Sequence, residues 1–298
     1  VHSRELVSVL DKFASVPRRL ADLQCDYFTT VCFDETAAQK DGTIRRRNRE
    51  QGFGESTVEF VLSGPHFFVA NPLNKTPRAV CDSNKAYDQL DLMDLPDSYL
   101  PRSNYLPSCD MKIYAARLPK VRWHGDGGES PRAMTGYYRQ VFRNMLSQSG
   151  ERTLIGAIAP PGSAHINGAQ STAFRQTKHL LYQSMFSSTV LADFYIKTTG
   201  RSNLHSIWEQ FPLGEISPYA AMRTLALNCL TSHYADLWRE CWQPAFQQDS
   251  WASNDPRLPQ NFFTQLTPDW QRHCALRSDY SRRQALVEID VLAAQALG

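Results

Sequence analysis

Residues 152–162 read RTLIGAIAPPG. The run from Arg152 to Ala159 has the length and composition of a buried strand, and Pro160-Pro161-Gly162 stops it. Upstream, Arg132 to Leu146 sets Tyr138, Phe142 and Met145 on one stripe and Arg139 and Arg143 on another, a helical spacing. Downstream, a loop with Gly162, Asn167 and Gly168 leads into a helical stretch from Thr172 to Thr199. Tyr27 to Phe33 (YFTTVCF) is β-branched and aromatic and reads as a second strand, and Met111 to Ala116 as a third. Thr57 to Leu62 and His66 to Ala70 flank Ser63-Gly64-Pro65, a hairpin signal. The start reads as helix, with Ser3 as cap and Leu6, Val9, Leu10 and Phe13 at 3/4 spacing. Pro17 restarts a short helical run to Gln24. After Ser217-Pro218, residues 219–243 and 278–297 are helical, joined by a link with Pro256, Pro259 and Pro268. The expected class is α+β: a mixed-sheet body with long loops at 1–215, then a helical segment at 216–298.

The chain has 298 residues, 42% of them apolar and 21% charged. That balance excludes a disordered acidic tail, a collagen-like repeat and a disulfide miniprotein. No apolar run approaches the ~18–20 residues needed to cross a bilayer. No basic-then-apolar signal opens the chain, so a cytoplasmic location is expected. The seven cysteines (Cys25, Cys32, Cys81, Cys109, Cys229, Cys241, Cys274) are scattered, with no C-x-x-C pair. Reduced core thiols and no structural metal are expected. The periodic run Leu286, Ile289, Leu292, Ala293, Ala296 continues almost to Gly298, and the first residue is Val. A piece of a longer protein is therefore expected.

Catalytic patterns are missing. Asn71-Pro72-Leu73-Asn74 lacks the second proline and the aromatic ring of the loop with which amino-methyltransferases hold a flipped base. Gly52-Phe53-Gly54 lies close upstream of it and follows charged residues instead of a strand, so it is no cofactor turn. There is no G-x-S-x-G elbow, no paired-histidine metal motif and no P-loop. Gly162-Ser163-Ala164-His165 sets Ser and His too close in sequence to define a triad.

The positive signal is basic and aromatic. Lys and Arg total 32 against 30 Asp and Glu, so net charge says little. Arginine, however, greatly outnumbers lysine, and its planar fork suits phosphates and base edges. Between Arg102 and Arg143, eight cations stand against three carboxylates (Asp110, Asp126, Glu129) among Tyr105, Tyr114, Trp123, Tyr137 and Tyr138. Arg45, Arg46, Arg47 and Arg49 add a second cluster on a polar segment. The acidic run Asp82, Asp88, Asp91, Asp94, Asp97 lies between the two, which suits a two-sided surface. A solvated face laced with ion pairs gives the same pattern.

Several stretches together resemble one family. They are Glu35 to Ile44 (ETAAQKDGTI), His66 to Arg78 (HFFVANPLNKTPR), Tyr99 to Tyr105 (YLPRSNY), Tyr138 to Arg143 (YRQVFR) leading into Glu151 to Ile155, Pro160-Pro161-Gly162, and Arg282 to Asp290 (RRQALVEID). The pattern resembles the region after the catalytic domain in large bacterial adenine-specific DNA methyltransferases of restriction–modification and related phage-defence systems. Gly200-Arg201-Ser202-Asn203-Leu204 and Phe211-Pro212-Leu213 are also similar to the closing pattern of type I specificity-subunit recognition domains.

The resemblance implies a target-recognition domain that binds double-stranded DNA and does no chemistry itself. It places the methyltransferase domain, with its S-adenosylmethionine, upstream of Val1, and restriction or helicase subunits among the further partners. No cofactor, metal or membrane is expected for this segment. The residues expected at the DNA are Arg45, Arg46, Arg47, Arg49, Lys75, Arg78, Arg102, Lys120, Arg122, Arg139, Arg143, Arg201 and Asn203. Arg139 and Arg143 have structural ion pairs as their alternative. His165 and Asn167 lie in a contact loop, with turn stabilisation as the competing role. Two rival readings are a complete enzyme with an unfamiliar site and a protein-interaction module acting through the helical segment.

Overall fold

The computed structural model describes residues 3–47, 55–81, 83, 85–123 and 130–298. In chain order these form α1 (Arg4–Ser15), β1 (Tyr27–Thr30), α2 (Glu35–Lys40), β2 (Ile44–Arg46), β3 (Val61–Leu62), β4 (Lys75–Pro77) and β5 (Tyr87–Gln89). Next come β6 (Tyr105–Pro107), α3 (Met111–Arg117), β7 (Lys120–Val121), β8 (Arg132–Ala133), β9 (Arg139–Arg143), β10 (Gly156–Ala159), β11 (Ala164–His165) and β12 (Ala169–Phe174). The helices α4 (Thr177–Ser187), α5 (Val190–Thr199), α6 (Pro218–Asn228), α7 (Ala235–Cys241) and α8 (Asp279–Leu297) follow. The fold is α+β. No helix among the described residues is long and apolar enough to cross a membrane.

Of the strand expected at 152–159 only Gly156–Ala159 forms one, β10, the edge of an antiparallel sheet ordered β1-β12-β9-β10, and residues 152–155 lie outside it. Its glycine has a steric reason. Gly156 stands opposite Phe142 in the register, and a Cβ there would lie 2.3 Å from the Phe142 ring. Alternate side chains of β9 and β10 go to opposite faces of the sheet. Phe142 and Ile158 join the large cluster that includes Leu181, Leu225, Trp238 and Ile289. Val141, Ala157 and Ala159 pack with Phe60, Leu62 and Phe67 on the other face. Both faces are thus covered, so neither strand shows an apolar–polar alternation.

Double coverage also explains where the periodicity misleads. Residues 139–143 form a strand, not part of a helix, because positions four apart share a face in a strand as well as in a helix. Met145, three residues after Phe142, consequently falls outside the core. Met111–Arg117 is helix where a strand is expected; Asp110 caps it by accepting from the Lys112 N–H, and within it only Tyr114 is buried. Residues 172–174 belong to β12, paired with β1 and β9, and helix starts only at Thr177. Ser188 closes that helix and Thr189 caps the next, accepting from the Ala192 N–H. Residues 57–70 form no hairpin, for β3 pairs in parallel with β11 and residues 64–66 form a 3-10 turn.

Helix α4 is buried from Leu180 to Ser187 because it packs against the sheet on one side and α6 on another. Helix α6 in turn packs on α8, so one apolar cluster includes residues on both sides of position 215. Ion pairs fasten these layers. Arg152 forks onto Asp290 at 2.8 and 2.7 Å, and Arg223 donates to Glu288 and to Asp249. Arg282 is wholly committed to carbonyls, donating to Leu227 O at 3.0 Å, Leu276 O at 2.8 Å and Ala70 O at 2.9 Å. Burial pulls its pKa down to about 10, which still leaves it charged at neutral pH.

Arg282→Met leaves three acceptors without their donor, at about 1–3 kcal/mol for each buried group stranded. A loss of about 3 kcal/mol in denaturant unfolding is expected, with Arg282→Lys recovering less than half. A Met variant as stable as the parent overturns this account.

Candidate nucleic-acid interface

The strand β2 exposes two of its three residues. Ile44 is buried, while Arg45 and Arg46 face solvent, and the strand pairs with β6 so that Arg46 lies opposite Tyr105. The Arg46 guanidinium sits 5.6 Å from the centre of the Tyr105 ring and 2.8 Å from Glu35 Oε1. Tyr105 Oη donates to the same carboxylate oxygen at 2.6 Å. Glu35 occupies the first turn of α2, which Asp34 caps. Burial pushes the Glu35 carboxyl up, but hydrogen bonds from Tyr105 and Arg46 outweigh it and leave it below the usual range. The hydrogen bond to Glu35 raises Arg46 in return.

The neighbouring cations come from other segments. Arg47 N–H donates to Asn104 O at 3.0 Å, and its guanidinium donates to Ala79 O at 2.6 Å, which brings it beside Arg78. Arg78 is paired with Asp88 at 2.8 Å, both more than half exposed. Lys75 is half-buried on β4, opposite Gln89. Arg102 is exposed, and its carbonyl meets His66 Nε2 at 2.8 Å. Arg47 and Arg78 are therefore neighbours beside β2, whose successive exposed side chains Arg45 and Arg46 go to opposite faces of the strand. Arg45 has no ion pair among the described residues. Arg49 lies outside those residues, as do Gly52-Phe53-Gly54, Asp82, Asp126 and Glu129.

Beside this group opens a cleft of about 690 Å³, and Glu35 belongs to its wall as well as to the arginine surface. Arg143, Asn144, Met145, Asn167, Gln170, Asn203 and His205 also line it. Asn144 Nδ2 donates to Asn167 O at 2.7 Å, and Asn167 Nδ2 donates to Asp34 Oδ2 at 2.9 Å. Gln170 Nε2 reaches His205 O at 3.4 Å. His205 holds φ at 43°, a left-handed backbone unusual for a residue with a side chain. Carboxamides carry a donor and an acceptor on one planar group, which suits the edges of bases and sugars. These residues come from three distant segments, 143–145, 166–170 and 203–205. Of them, only Arg143, Asn167 and Asn203 stand out in the sequence.

The remaining expected residues divide. Arg139 is fully buried and contacts no solvent-borne ligand. Its guanidinium donates to the carbonyls of Tyr137 at 3.2 Å, Pro160 at 3.4 Å and Ser163 at 2.5 Å. This corrects the assignment of Arg139 to DNA and shows carbonyls, not carboxylates, as its hydrogen-bond acceptors. Arg143 is half-spent in the same way, donating to Gly64 O at 2.6 Å and Phe67 O at 2.5 Å, and burial lowers its pKa. Lys120 and Arg122 are exposed at the β7–β8 pair, and Lys120 Nζ donates to Ala115 O near the end of α3. Arg201 is exposed on the loop that carries Asn203. His165 is buried, its Nε2 2.8 Å from Ser171 Oγ, which removes it from any contact loop. Asn167 holds its turn through Asp34. In the 71–74 turn, Asn71 Oδ1 accepts from Leu73 N–H at 3.0 Å and Asn74 Nδ2 donates to Pro65 O at 3.2 Å, so both side chains serve the turn.

Neither a protein-family model nor a curated protein matches this sequence. Among the described residues no group of three His, Cys, Asp or Glu gathers to hold a metal ion.

Beneath the cleft, Cys32 lies against His165 and Arg139. Burial pushes the Cys32 thiol up, but those two neighbours together outweigh it and hold it at about 7 instead of 9.0. An acid with a depressed folded pKa stabilises the fold fully above the unfolded value and loses that contribution as pH falls through the folded one. Unfolding free energy is therefore expected to rise between pH 7 and pH 9, on the order of 2 kcal/mol. Cys32→Ala should flatten the rise; an unchanged slope refutes the ionised thiol.

Proposed function

We propose that this chain is a non-catalytic module for recognising duplex DNA, the target-recognition part of an adenine-specific DNA methyltransferase. The observation that supports it best is the meeting of two chemistries at Glu35. Arg45, Arg46, Arg47 and Arg78 suit the phosphate backbone on one side, and carboxamides line a groove on the other. Phosphate contacts set register, whereas base-edge contacts select sequence. The exposed pair Arg78–Asp88 is worth about 0–1 kcal/mol, so exchanging its carboxylate for a phosphate costs little, whereas the half-buried Glu35 keeps the hydrogen bond from Tyr105 if Arg46 turns to a phosphate. Methyl transfer and S-adenosylmethionine belong in this reading to a separate domain, and no residue here is assigned to them. In the second reading the helical segment docks a restriction or helicase subunit. It is favoured by Val287 and Val291, four residues apart on α8 and both about half exposed.

A gel-shift titration with random duplex separates the two. About four phosphate contacts give a roughly hundredfold loss of affinity between about 50 and about 200 mM salt, through counterion release. Arg45→Ala with Arg78→Ala should lower the log–log salt slope by about two, one for each phosphate contact removed. No retardation at the lower salt, or a slope the double variant leaves untouched, overturns DNA recognition by this surface.

A further inference from the structure

Met145 is the most exposed large apolar side chain among the described residues, at 77%. A lone exposed apolar residue is ordinary on a protein surface. Met145 differs in its mounting. It follows β9 directly, and its backbone forms an antiparallel bridge with Asn203. Asn144 N–H donates to Gly168 O at 3.2 Å, Leu204 N–H to Asn144 O at 2.8 Å, and Leu146 N–H to Ser202 O at 2.9 Å. Phe142 and Leu146 anchor the segment in the core on either side. The main chain is therefore pinned at every step while the side chain stands free in the cleft.

Its surroundings narrow the occupant. The cleft around Met145 combines apolar lining from Val31, Pro65 and Ile166 with the carboxamides of Asn144, Asn167, Gln170 and Asn203, so an occupant needs an apolar face beside hydrogen-bonding groups. A base pair presents the matching combination, with an apolar face for stacking and a hydrogen-bonding edge in the same plane. Methionine is unbranched and polarisable, and apolar side chains of this kind insert between base steps from the groove.

We infer that Met145 is a wedge that enters the base stack of duplex DNA, with the Asn203 carboxamide and the oxygens of Asn144 and Gln170, which no described residue takes up, meeting the edges of the separated bases. The inference rests on the DNA-recognition reading above. A base step that is already weakened opens at lower cost, so a wedge protein favours it.

The test uses this chain with two duplexes of identical flanks, one fully paired and one with a central mismatch, each carrying 2-aminopurine next to the centre. The expected result is about tenfold tighter binding of the mismatched duplex, equivalent to about 1.4 kcal/mol, with a rise in 2-aminopurine fluorescence on binding. Met145→Ala should bring the ratio close to one and abolish the fluorescence rise. Met145→Leu should keep both, and Met93→Ala, exposed on a different part of the surface, should leave both unchanged. Equal binding of the two duplexes with Met145→Ala indistinguishable from the parent overturns the wedge and leaves DNA recognition standing. Binding of neither duplex at low salt overturns both, and would turn Met145 into a contact for a protein partner.

Discussion

Much of this structure depends on the hydrogen bond from a guanidinium to a main-chain carbonyl. Long stretches, notably 85–110 and 242–278, run mostly outside helices and strands, so many of their carbonyls lack ladder partners. Buried carbonyls need a donor from somewhere. Arginine has five donors in a rigid fork, and here single arginines tie together segments far apart in sequence. Arg277 joins Leu92 and Leu95 to Leu230, and Arg272 reaches Met93 and Leu95. Arg143 holds the 64–67 turn against β9. A lysine ammonium cannot span such pairs of acceptors, which gives the excess of arginine a structural cause.

That use of arginine sets what is left for a ligand. A guanidinium enclosed by carbonyls has exchanged its water shell for fixed acceptors, and moving it toward a phosphate would strand both the charge and the carbonyls. Arg45 and Arg78 differ: Arg45 has no ion pair among the described residues and Arg78 pairs with an exposed carboxylate, while Arg46 rests on the half-buried Glu35 and Arg47 is held by the Ala79 carbonyl. The candidate interface is therefore the portion of the arginine complement that the fold has not consumed. Glu35 ties the exposed Arg46 to the buried Tyr105, which positions one edge of the cleft.

Charge at the centre of the molecule is handled differently. Arg139 lies in the middle of the sheet, where its hydrogen bonds to carbonyls supply dipoles and no counter-charge. Cys32 supplies an acid beside it, and the low pKa of its thiol follows from the hydrogen bond with His165 and the Arg139 guanidinium. A thiol that reads in the sequence as an ordinary core residue thus takes part in the electrostatics of the sheet.

Local chemistry alone determined the strand at 156–159, the cap at Ser3, the helical character of much of the chain after 218 and the mixed class, because apolar run length, capping side chains and proline stops act within a few residues of themselves. It also picked out Arg45–Arg47 and Asn203, since polar segments with clustered cations stay exposed in most folds. Only the tertiary structure decided that 139–143 is strand and 111–117 helix. In both, a four-residue spacing or a short apolar run fits either geometry until neighbours choose. The cleft was equally out of reach of the sequence, as Asn144, Gln170 and His205 carry no signal until β9, β12 and the 200–205 loop meet. The fate of each arginine was settled last, because whether a guanidinium meets a carbonyl or solvent depends on how distant segments pack.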